Sequence, residues 1–371
     1  MIRKALFPSL VVYFLLSLQA QKGLAVSPQF WSTSSFLDFS KGSLKGLSLH
    51  KEGQVSLSPN FDSVFDTDQA LIWSAVCDSK KNLYVGTGHD GKVFKIDSSG
   101  TSSLFFDATE LDVLALALDA EQNLYVATSP EGKIYKVNGE GKGTVFFDPE
   151  DKFIWDLAFD AKGNLYAATG NKGRIYKVNK EGKGDVFYDS GQINLTCLAI
   201  DEAQNIIAGS DPDGYVYRLS PEGRPFVLYD SAMREIHDVK LDAKGNIYAI
   251  GNNPAASSGS IPESKSSGPE LISGDSISVT LPLLTASDKK PSEEIPSPKG
   301  SGGRPARHEA GSAKSAIYRI LKDTRVETLW SSESETAYGM YLQGEGKMLF
   351  STGNKGKIYS LDMEKKLALL L

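Results

Sequence analysis

NLYV at Asn82–Val85 is one copy of a short phrase that recurs along this chain at a fixed distance. The other copies are NLYV at Asn123–Val126, NLYA at Asn164–Ala167, NIIA at Asn205–Ala208 and NIYA at Asn246–Ala249. Their leading asparagines follow one another at steps of 41 residues. A repeat of this length is typical of modular arrays, in which each copy is one supersecondary unit packed against its neighbours.

One copy of the repeat, residues 71–107, contains short runs rich in Val, Ile, Leu, Phe and Tyr. Gly, Asp, Asn and Ser separate the runs, as expected for strands joined by tight turns. No run shows helical periodicity over a useful length. Four strands in about 40 residues, repeated, predict an all-β fold, the β-propeller, with one four-stranded blade per repeat.

The number of blades follows from the number of units. Six clear units begin near residues 71, 113, 154, 195, 236 and 337. A degenerate seventh unit can precede them, with FLDFS (Phe36–Ser40), LKGLSLH (Leu44–His50), GQVSLSP (Gly53–Pro59) and SVFD (Ser63–Asp66) as its strands. We therefore predict seven blades, and six blades plus an N-terminal hairpin are the alternative.

Aspartate and glycine residues keep the same 41-residue step. The first series is Asp78, Asp119, Asp160, Asp201 and Asp242, and the second is Gly91, Gly132, Gly173 and Gly214. A short Asp side chain can bond its own backbone and start a turn, while glycine fits hairpin positions that need a positive φ. Rings of Asp could also bind cations, but we favour the structural interpretation for both series.

The overall composition limits the classes of partner. The chain has 371 residues and a formal net charge of −6. Nucleic-acid-binding proteins concentrate Lys and Arg on one face, so this acidity disfavours nucleic acid as a partner. A single ring with one insertion accounts for the length, and we expect a monomer.

Residues 1–25 read as a secretory signal peptide. Arg3 and Lys4 precede the apolar run Ala5–Leu18, and Gly23-Leu24-Ala25 places small residues at a cleavage site. We predict cleavage after Ala25; cleavage after residue 20 and an uncleaved N-terminal anchor are alternatives. The run is too short to favour a transmembrane helix. We therefore expect an extracytoplasmic protein, periplasmic or secreted, in which residues 26–371 form one propeller domain without other membrane attachment.

Cys77 and Cys197 are the only cysteines. Disulfides persist in the oxidising compartments to which export leads. These two cysteines lie three units apart, however, so that a bond between them would cross the ring. We predict two free, buried thiols, because free Cys usually behaves as a small core hydrophobe.

The repeat is interrupted between Asn253 and Lys314. These 62 residues hold 8 of the 16 prolines of the chain and are rich in Ser, Gly, Lys and Glu, which predicts a disordered, low-complexity insertion. It falls between the second and third strands of one blade. Ser276–Leu281 within it alternates as a strand would and could pair with an exposed sheet edge. A tolerated surface loop is the simpler interpretation.

Two neighbouring positions of the first strand differ most among the units. The first carries Trp73, Leu114, Trp155, Thr196, His237 and Tyr338, and the second carries Ser74, Ala115, Asp156, Cys197, Asp238 and Gly339. Variation within a repeated frame is where ligand specificity would be encoded, although irregular packing between blades is the alternative. We predict a ligand site at the channel mouth formed by Trp73, Trp155, Asp156, His237, Asp238 and Tyr338, with His89 from a hairpin loop.

Catalytic motifs are missing from the sequence. There is no HExxH, Walker loop or G-x-S-x-G. His237 and Asp238 are adjacent on a strand and should point to opposite faces. We therefore predict no catalytic residues, no metal ligands and no cofactor.

A series of cations accompanies the third strands and suggests a track for a polyanion. Its members are Lys95, Lys136, Lys177, Arg218 and Arg319. Side chains at such outer positions are ordinarily solvated, and their stems pack over neighbouring aromatic rings. We favour this second interpretation, because the chain is acidic.

The unit LALDAEQNLYVATSPEGKIYKVNGEG, residues 116–141, resembles the repeats of NHL- and SMP-30-like propellers, in which a D-x-x-G-N-L-Y-V-A core precedes an I-Y-K/R-V strand. It also resembles secreted bacterial propellers loosely labelled WD40, although the G-H and W-D pairs of true WD40 blades are missing. Outside the insertion, the resemblance covers nearly all of residues 44–371.

The resemblance to SMP-30- and paraoxonase-type lactonases implies a channel metal held by Glu, Asn and Asp. Their E-G-P-x-W motif is missing here, and only Asp156, Asn194 and Asp238 could serve as ligands. We therefore expect a secreted, non-enzymatic binding or scaffold protein for a protein or glycan partner. A metal-dependent lactonase or related hydrolase, using calcium or another divalent metal, is the alternative.

Overall fold

The computed structural model describes residues 32–253, 313–344, 346–353 and 356–371. The predicted signal peptide and Ser276–Leu281 lie outside these residues. Within them, no helix is long and apolar enough to cross a membrane. The N-terminal elements are α1 (Phe36–Phe39), β1 (Leu47–His50) and β2 (Val55–Leu57).

Blades 1 to 5 are antiparallel sheets of four strands, ordered along the chain from the channel outward. Blade 1 contains β3 (Ile72–Cys77), β4 (Leu83–Thr87), β5 (Lys92–Ile96) and β6 (Ser102–Asp107). Blade 2 contains β7 (Asp112–Leu118), β8 (Leu124–Ser129), β9 (Ile134–Val137) and β10 (Gly143–Phe147). Blade 3 contains β11 (Ile154–Phe159), β12 (Leu165–Thr169), β13 (Arg174–Val178) and β14 (Gly184–Asp189).

The second half of the ring follows the same order. Blade 4 contains β15 (Asn194–Ile200), β16 (Ile206–Asp211), β17 (Tyr215–Leu219) and β18 (Pro225–Asp230). Blade 5 contains β19 (Glu235–Leu241), β20 (Ile247–Asn252), β21 (Ser315–Ile320) and β22 (Val326–Ser332). Blade 6 contains β23 (Ala337–Gln343), β24 (Lys347–Thr352), β25 (Lys357–Asp362) and β26 (Leu367–Leu369). The predicted all-β propeller of four-stranded blades is confirmed.

The described residues form six blades, so our prediction of seven is wrong. The N-terminal hairpin β1–β2 extends blade 6, whose order is β23-β24-β25-β26-β1-β2. Leu49 lies opposite Leu369 and His50 opposite Ala368. Strand β26 is short and would otherwise leave its outer backbone groups unpaired, so β1 pairs with them instead of starting a blade of its own.

The other two segments assigned to a seventh blade are not strands. Phe36–Phe39 is helical, because Ser35 and Asp38 form a capping box at its N-terminus. Residues 63–66 form no strand, yet the Phe65 ring lies 5.4 Å from that of Phe94. This distance is close to the 5.3 Å between Phe106 and Tyr135 one unit later. The segment therefore keeps the aromatic contact of the repeat without its hydrogen-bonded ladder.

The repeated Asp and Gly residues have structural roles, as predicted. Asp78 Oδ1 accepts the backbone N–H of Asn82 at 2.8 Å, and its Oδ2 accepts the Asn82 amide at 2.7 Å. The same pair of bonds occurs in the next four units. Gly91 has φ +61°, and a Cβ there would overlap the carbonyl of Glu110. Each hairpin is thereby held in one conformation.

Three of the five cations in the series pack their long stems as predicted. The Nζ atoms of Lys95, Lys136 and Lys177 lie 5.8, 5.2 and 5.4 Å from the ring centroids of Tyr84, Tyr125 and Tyr166. Arg319 instead pairs with Glu327 at 2.5 Å. These contacts place the charges over aromatic rings and beside a carboxylate, which favours a packing role.

Five of the six blade interfaces are closely packed. Val113, Ile154, Leu195, Ile236 and Ala337, at equivalent places on the inner strands of blades 2 to 6, are all 0% exposed. Ile72, their counterpart in blade 1, is 59% exposed. On the facing blade, Tyr341 is 66% exposed. We call this open interface, between β23–β24 of blade 6 and β3–β4 of blade 1, the seam.

Both cysteines are free, but only Cys197 is buried. Cys77 is exposed, which contradicts the prediction of two buried thiols. Its place on β3 corresponds to Leu118 of blade 2, a residue that packs against blade 1. Cys77 therefore faces the seam, where the preceding blade does not cover it.

The insertion begins and ends at one hairpin. Strands β20 and β21 pair along their length, and Asn253 N–H donates to the Lys314 carbonyl at 2.9 Å. Residues 254–312 between these ends are outside the described residues.

Candidate functional site

Each of the six inner strands contains a β-bulge at the same place. The pairing of β3 with β4 jumps from Ile72 to Ser74 and leaves Trp73 without an opposite residue. Equivalent shifts occur in the other five blades. The bulge residues are Trp73, Leu114, Trp155, Thr196, His237 and Tyr338, and we call them the bulge ring. A bulge re-aims a side chain away from the regular sheet face.

The bulge ring lies at one end of the channel. Every bulge residue is near the start of its inner strand, and all six inner strands begin at the same end of the propeller. The loops between blades and the hairpins between second and third strands share that end, which is the mouth. The predicted candidates Trp73, Trp155, His237 and Tyr338 therefore belong to one ring of irregular positions.

Aromatic members of the bulge ring lie against glycines of the second strand or hairpin. A Cβ on Gly88 would overlap the Trp73 indole nitrogen, one on Gly170 would lie 2.5 Å from Trp155 Nε1, and one on Gly353 would lie 2.7 Å from Tyr338 Cε2. In the three blades whose bulge residue is Leu114, Thr196 or His237, the glycine position carries Ser129, Asp211 and Asn252. The glycines therefore make the space in which these rings lie.

Trp73 is tied to the next blade. Its Nε1–H donates to Asp112 Oδ1 at 3.1 Å, and the same oxygen accepts the backbone N–H of His89 at 3.2 Å. His89 has φ +71°. The structure thus brings His89 and Trp73 to one carboxylate, although the indole stays 48% exposed.

Trp155 repeats this arrangement two blades later. Its Nε1–H donates to Asn194 Oδ1 at 3.4 Å, and Asn171 N–H reaches the same oxygen at 3.4 Å. The Phe153 ring is nearly parallel to the indole, with an interplanar angle of 10° and centroids 5.8 Å apart. The two rings are stacked, so that Phe153 packs against one face of the indole and holds its orientation.

His237 and Tyr338 meet between blades 5 and 6. Their rings are 5.5 Å apart in an edge-to-face arrangement. His237 Nδ1 lies 2.6 Å from Glu235 Oε1. Burial opposes a charge on the imidazole, but the bond to Glu235 outweighs burial and raises the pKa of His237.

Asp156 is a link between blades. Its Oδ2 accepts the backbone N–H of Leu198 in the next inner strand at 2.7 Å, while Oδ1 accepts that of Leu157 at 2.8 Å. Burial raises the pKa of Asp156 to about 6, although both N–H groups favour the ionised form. The carboxylate therefore joins inner strands instead of pointing freely into the channel.

Asp238 has the same role one interface further on. Its Oδ2 accepts Met340 N–H at 3.2 Å, and its Oδ1 pairs with Lys240 Nζ at 2.6 Å. Burial disfavours the charged ammonium, but the Asp238 carboxylate outweighs burial and raises the pKa of Lys240.

Other inner strands use the same position to reach the following blade. Ser74 Oγ donates to the Val113 carbonyl at 3.1 Å, and Cys197 Sγ to the Ile236 carbonyl at 3.6 Å. Ala115 and Gly339 have no polar side-chain atom there. Gly339 is the residue on β23 that would reach across the seam, so the open interface lacks this link.

Sequence reasoning missed the partners that orient the candidates. Asp112, Asn194 and Glu235 are the first residues of the inner strands β7, β15 and β19, a position at which the units also differ. The matching of Gly88, Gly170 and Gly353 with the aromatic bulge residues is visible in the sequence as well. This pairing can be interpreted only when the strand that lies against each ring is known, and the repeat alone does not show which strand that is.

The residues present do not fit the channel metal that the lactonase resemblance implies. Asp156 already accepts two backbone N–H groups, and Asp238 is paired with Lys240. Asn194 Oδ1 receives the Trp155 indole, while its amide donates to Asp211. Within the described part of the chain, no three His, Cys, Asp or Glu side chains converge as metal ligands.

No protein-family model matches this chain, and no curated protein matches its sequence. Solved structures do match it. Virginiamycin B lyase from Staphylococcus aureus is 10% identical with a TM-score of 0.53, covering 87% of each chain. A streptogramin B lyase is 11% identical with a TM-score of 0.54, covering 87% of this chain and 85% of that one.

A structure of a nidogen/laminin complex also matches, at 10% identity and a TM-score of 0.50, over 76% of this chain and 89% of that one. At these identities the likeness shows the fold alone. The chain is a β-propeller, and its finer resemblance to NHL- or SMP-30-like propellers stays a prediction.

Proposed function

We propose that this protein is a non-enzymatic binding propeller whose bulge ring at the channel mouth holds a protein or glycan ligand. One observation carries the proposal: all six inner strands bulge at the position where the repeats differ most. A rigid, repeated frame thus presents six different side chains at one end. Aromatic side chains in such positions are frequent binding hot spots.

The polar candidates favour binding over catalysis. Asp156 and Asp238 already accept backbone N–H groups of the following blade. The His237 imidazole is paired with Glu235 and touches the Tyr338 ring. A nucleophile with a free general base would require a different arrangement. The signal-like residues 1–25 support the further proposal that binding takes place outside the cytoplasm, by a monomer.

The test compares defined ligands on matched variants. Immobilised protein is screened against a glycan array and a displayed peptide library, and each ligand found is titrated against the double variant Trp73→Ala/Trp155→Ala. We expect affinity to fall at least about 10-fold, because each ring is a fixed contact surface. The control is Leu104→Ala, which removes an equally exposed apolar side chain from β6 on the rim.

Two outcomes would contradict the proposal. A double variant that keeps its fold and binds every ligand as the wild type does would exclude the bulge ring. A chelator that lowers thermal stability, with recovery on adding calcium, would instead favour the metal-dependent hydrolase. The melting temperature of each variant, measured beforehand, separates lost binding from lost folding.

A further inference from the structure

We propose that the ligand of the bulge ring is a neutral oligosaccharide whose sugar rings stack on Trp73, Trp155 and Tyr338. This inference rests on the proposed function and names the chemical class of its ligand. It depends on four features of the mouth: the backing of the rings, the bonds at their edges, their exposure and their polar surroundings.

The three rings are held from behind. Gly88, Gly170 and Gly353 bring backbone so close to them that a methyl group would not fit between. A ring in this position cannot shift toward the hairpin, because its Nε1 or Cε2 atom already lies against backbone there. Little conformational entropy is then lost on binding, which is the advantage of a preorganised surface.

The two indoles are also held at their edges. Their N–H groups are bonded to Asp112 and Asn194 of the neighbouring blades, at 3.1 and 3.4 Å. The polar atom of each indole is thus already satisfied, and the remaining exposed surface is flat and apolar. Trp73 is 48% and Tyr338 52% exposed, which is unusual for rings fixed this firmly.

A pyranose ring matches such a surface. The face of an aromatic ring is negative, so it attracts the slightly positive C–H bonds on one face of a sugar. The hydroxyl groups around the sugar then need planar acceptors at the edge of the aromatic ring. Sites for small ligands combine apolar walls with a few placed polar groups in this way.

Polar groups of this kind stand beside each ring. Asp112 uses Oδ1 for the Trp73 indole and the His89 N–H, while its Oδ2 accepts no hydrogen bond from the described residues. Asn194 lies beside Trp155, and the pair of His237 and Glu235 lies beside Tyr338. The set contains two carboxylates, and its imidazole is already paired with one of them, so a neutral sugar is favoured over an anionic one.

The spacing of the rings favours separate sugar units over a peptide. Leu114 lies between Trp73 and Trp155 around the ring, and Thr196 and His237 lie between Trp155 and Tyr338. The aromatic surface is therefore divided into flat platforms with polar rims. A peptide that takes its affinity from an apolar groove would need a continuous one.

The experiment titrates the purified protein with hexasaccharides of the cellulose, xylan, mannan, starch and chitin types, and with hexagalacturonate as the anionic probe. Tryptophan fluorescence and calorimetry report binding. We expect at least one neutral hexasaccharide to bind with a Kd of about 1 mM or tighter, and hexagalacturonate to bind more weakly. Trp73→Ala should weaken binding at least about 10-fold.

Glycine variants test the role of the backing. Gly88→Ala keeps the indole but displaces it, so it should also weaken binding several-fold. Gly139→Ala is the matched control, because a Cβ there has nothing within 4 Å. It should bind within about twofold of the wild type, as should Leu104→Ala.

The outcomes separate this inference from the proposed function. If no neutral hexasaccharide binds, or if binding is unchanged in Trp73→Ala, the saccharide inference is wrong. If a displayed peptide binds and is lost in Trp73→Ala/Trp155→Ala while no saccharide binds, the inference fails and the proposed function stands. If ligands of either class bind equally to wild type and double variant, both fail.

Discussion

The packed interface between blades 4 and 5 and the seam between blades 6 and 1 are built from the same repeat, yet they differ in the burial of their equivalent residues. Ile236 is fully buried at the first, whereas Ile72, its counterpart at the seam, is 59% exposed. The two residues occupy the same place in the unit. The comparison shows that position in the ring, and not the residue type, decides how much apolar surface is buried.

The links between inner strands follow the same division. Asp156, Cys197 and Asp238 each bond to backbone of the following strand, so that blades 3 to 6 are joined by side chains. Gly339 offers no such link toward β3. Blades 3 to 6 are therefore held together by packing and by these hydrogen bonds, and the described residues of the seam make neither contact on its channel side.

The largest expected effect on stability comes from removing a buried side chain at a blade interface. Ile236→Ala should lower the free energy of unfolding by about 2–5 kcal/mol, because it removes a fully buried side chain from a packed interface. Ile72→Ala should cost less than about 1 kcal/mol, because most of that side chain already contacts water. Denaturant titration of both variants measures the difference. Equal losses would mean that the seam is closed in solution.

A smaller effect is expected from adding one methyl group at the packed interface and one at the seam. Gly209→Ala should cost about 1–3 kcal/mol, because its Cβ would lie 2.6 Å from both Cys197 Sγ and Ile236 Cγ2. Gly339→Ala meets only Ser351 Oγ at 3.6 Å, so it should be neutral or stabilise by up to about 1 kcal/mol. Thermal unfolding compares the two, and a costly Gly339→Ala would contradict an open seam.

The smallest effect concerns the pH dependence of an inter-blade link. The pKa of Asp156 is raised to about 6, so the folded state holds its proton more tightly than the unfolded state does. Its contribution to stability is present below pH about 4 and is lost as pH rises through about 6. Between these values, wild type should lose about 1–2 kcal/mol more than Asp156→Asn.

Denaturant titrations of wild type and Asp156→Asn at several pH values check this prediction. Both proteins share all other titrating groups, so their difference isolates Asp156. Parallel pH profiles would show that Asp156 binds its proton equally well in the folded and unfolded states, which would contradict the raised pKa.

Much of the fold was predictable because each unit contains the residues that fix its own turns and strands. The Asp–Asn hydrogen bonds and the positive-φ glycines act within a few residues of sequence. Their regular spacing was enough to predict four-stranded blades. The number of blades was not predictable in this way. Residues 47–57 have a strand-like composition that fits a blade of their own equally well. They become the fifth and sixth strands of blade 6 because the outer edge of β26 is available for pairing.

The candidate site was predictable to the same extent. The variable position of the inner strand identified Trp73, Trp155, His237 and Tyr338 as a group, and the structure places all four at bulges. The bonds that Asp156 and Asp238 make to the following blade were not predictable, because each carboxylate and its backbone partner are about 40 to 100 residues apart in sequence.

By itself, the sequence determined a propeller of four-stranded blades and the positions at which its units differ. Such features depend on turns, strand periodicity and composition, which act over short distances. Only the tertiary structure decided that the described residues form six blades, that residues 47–57 extend blade 6 beyond β26, and that the seam stays open. These outcomes depend on which surfaces of distant units meet, and no single unit contains that information.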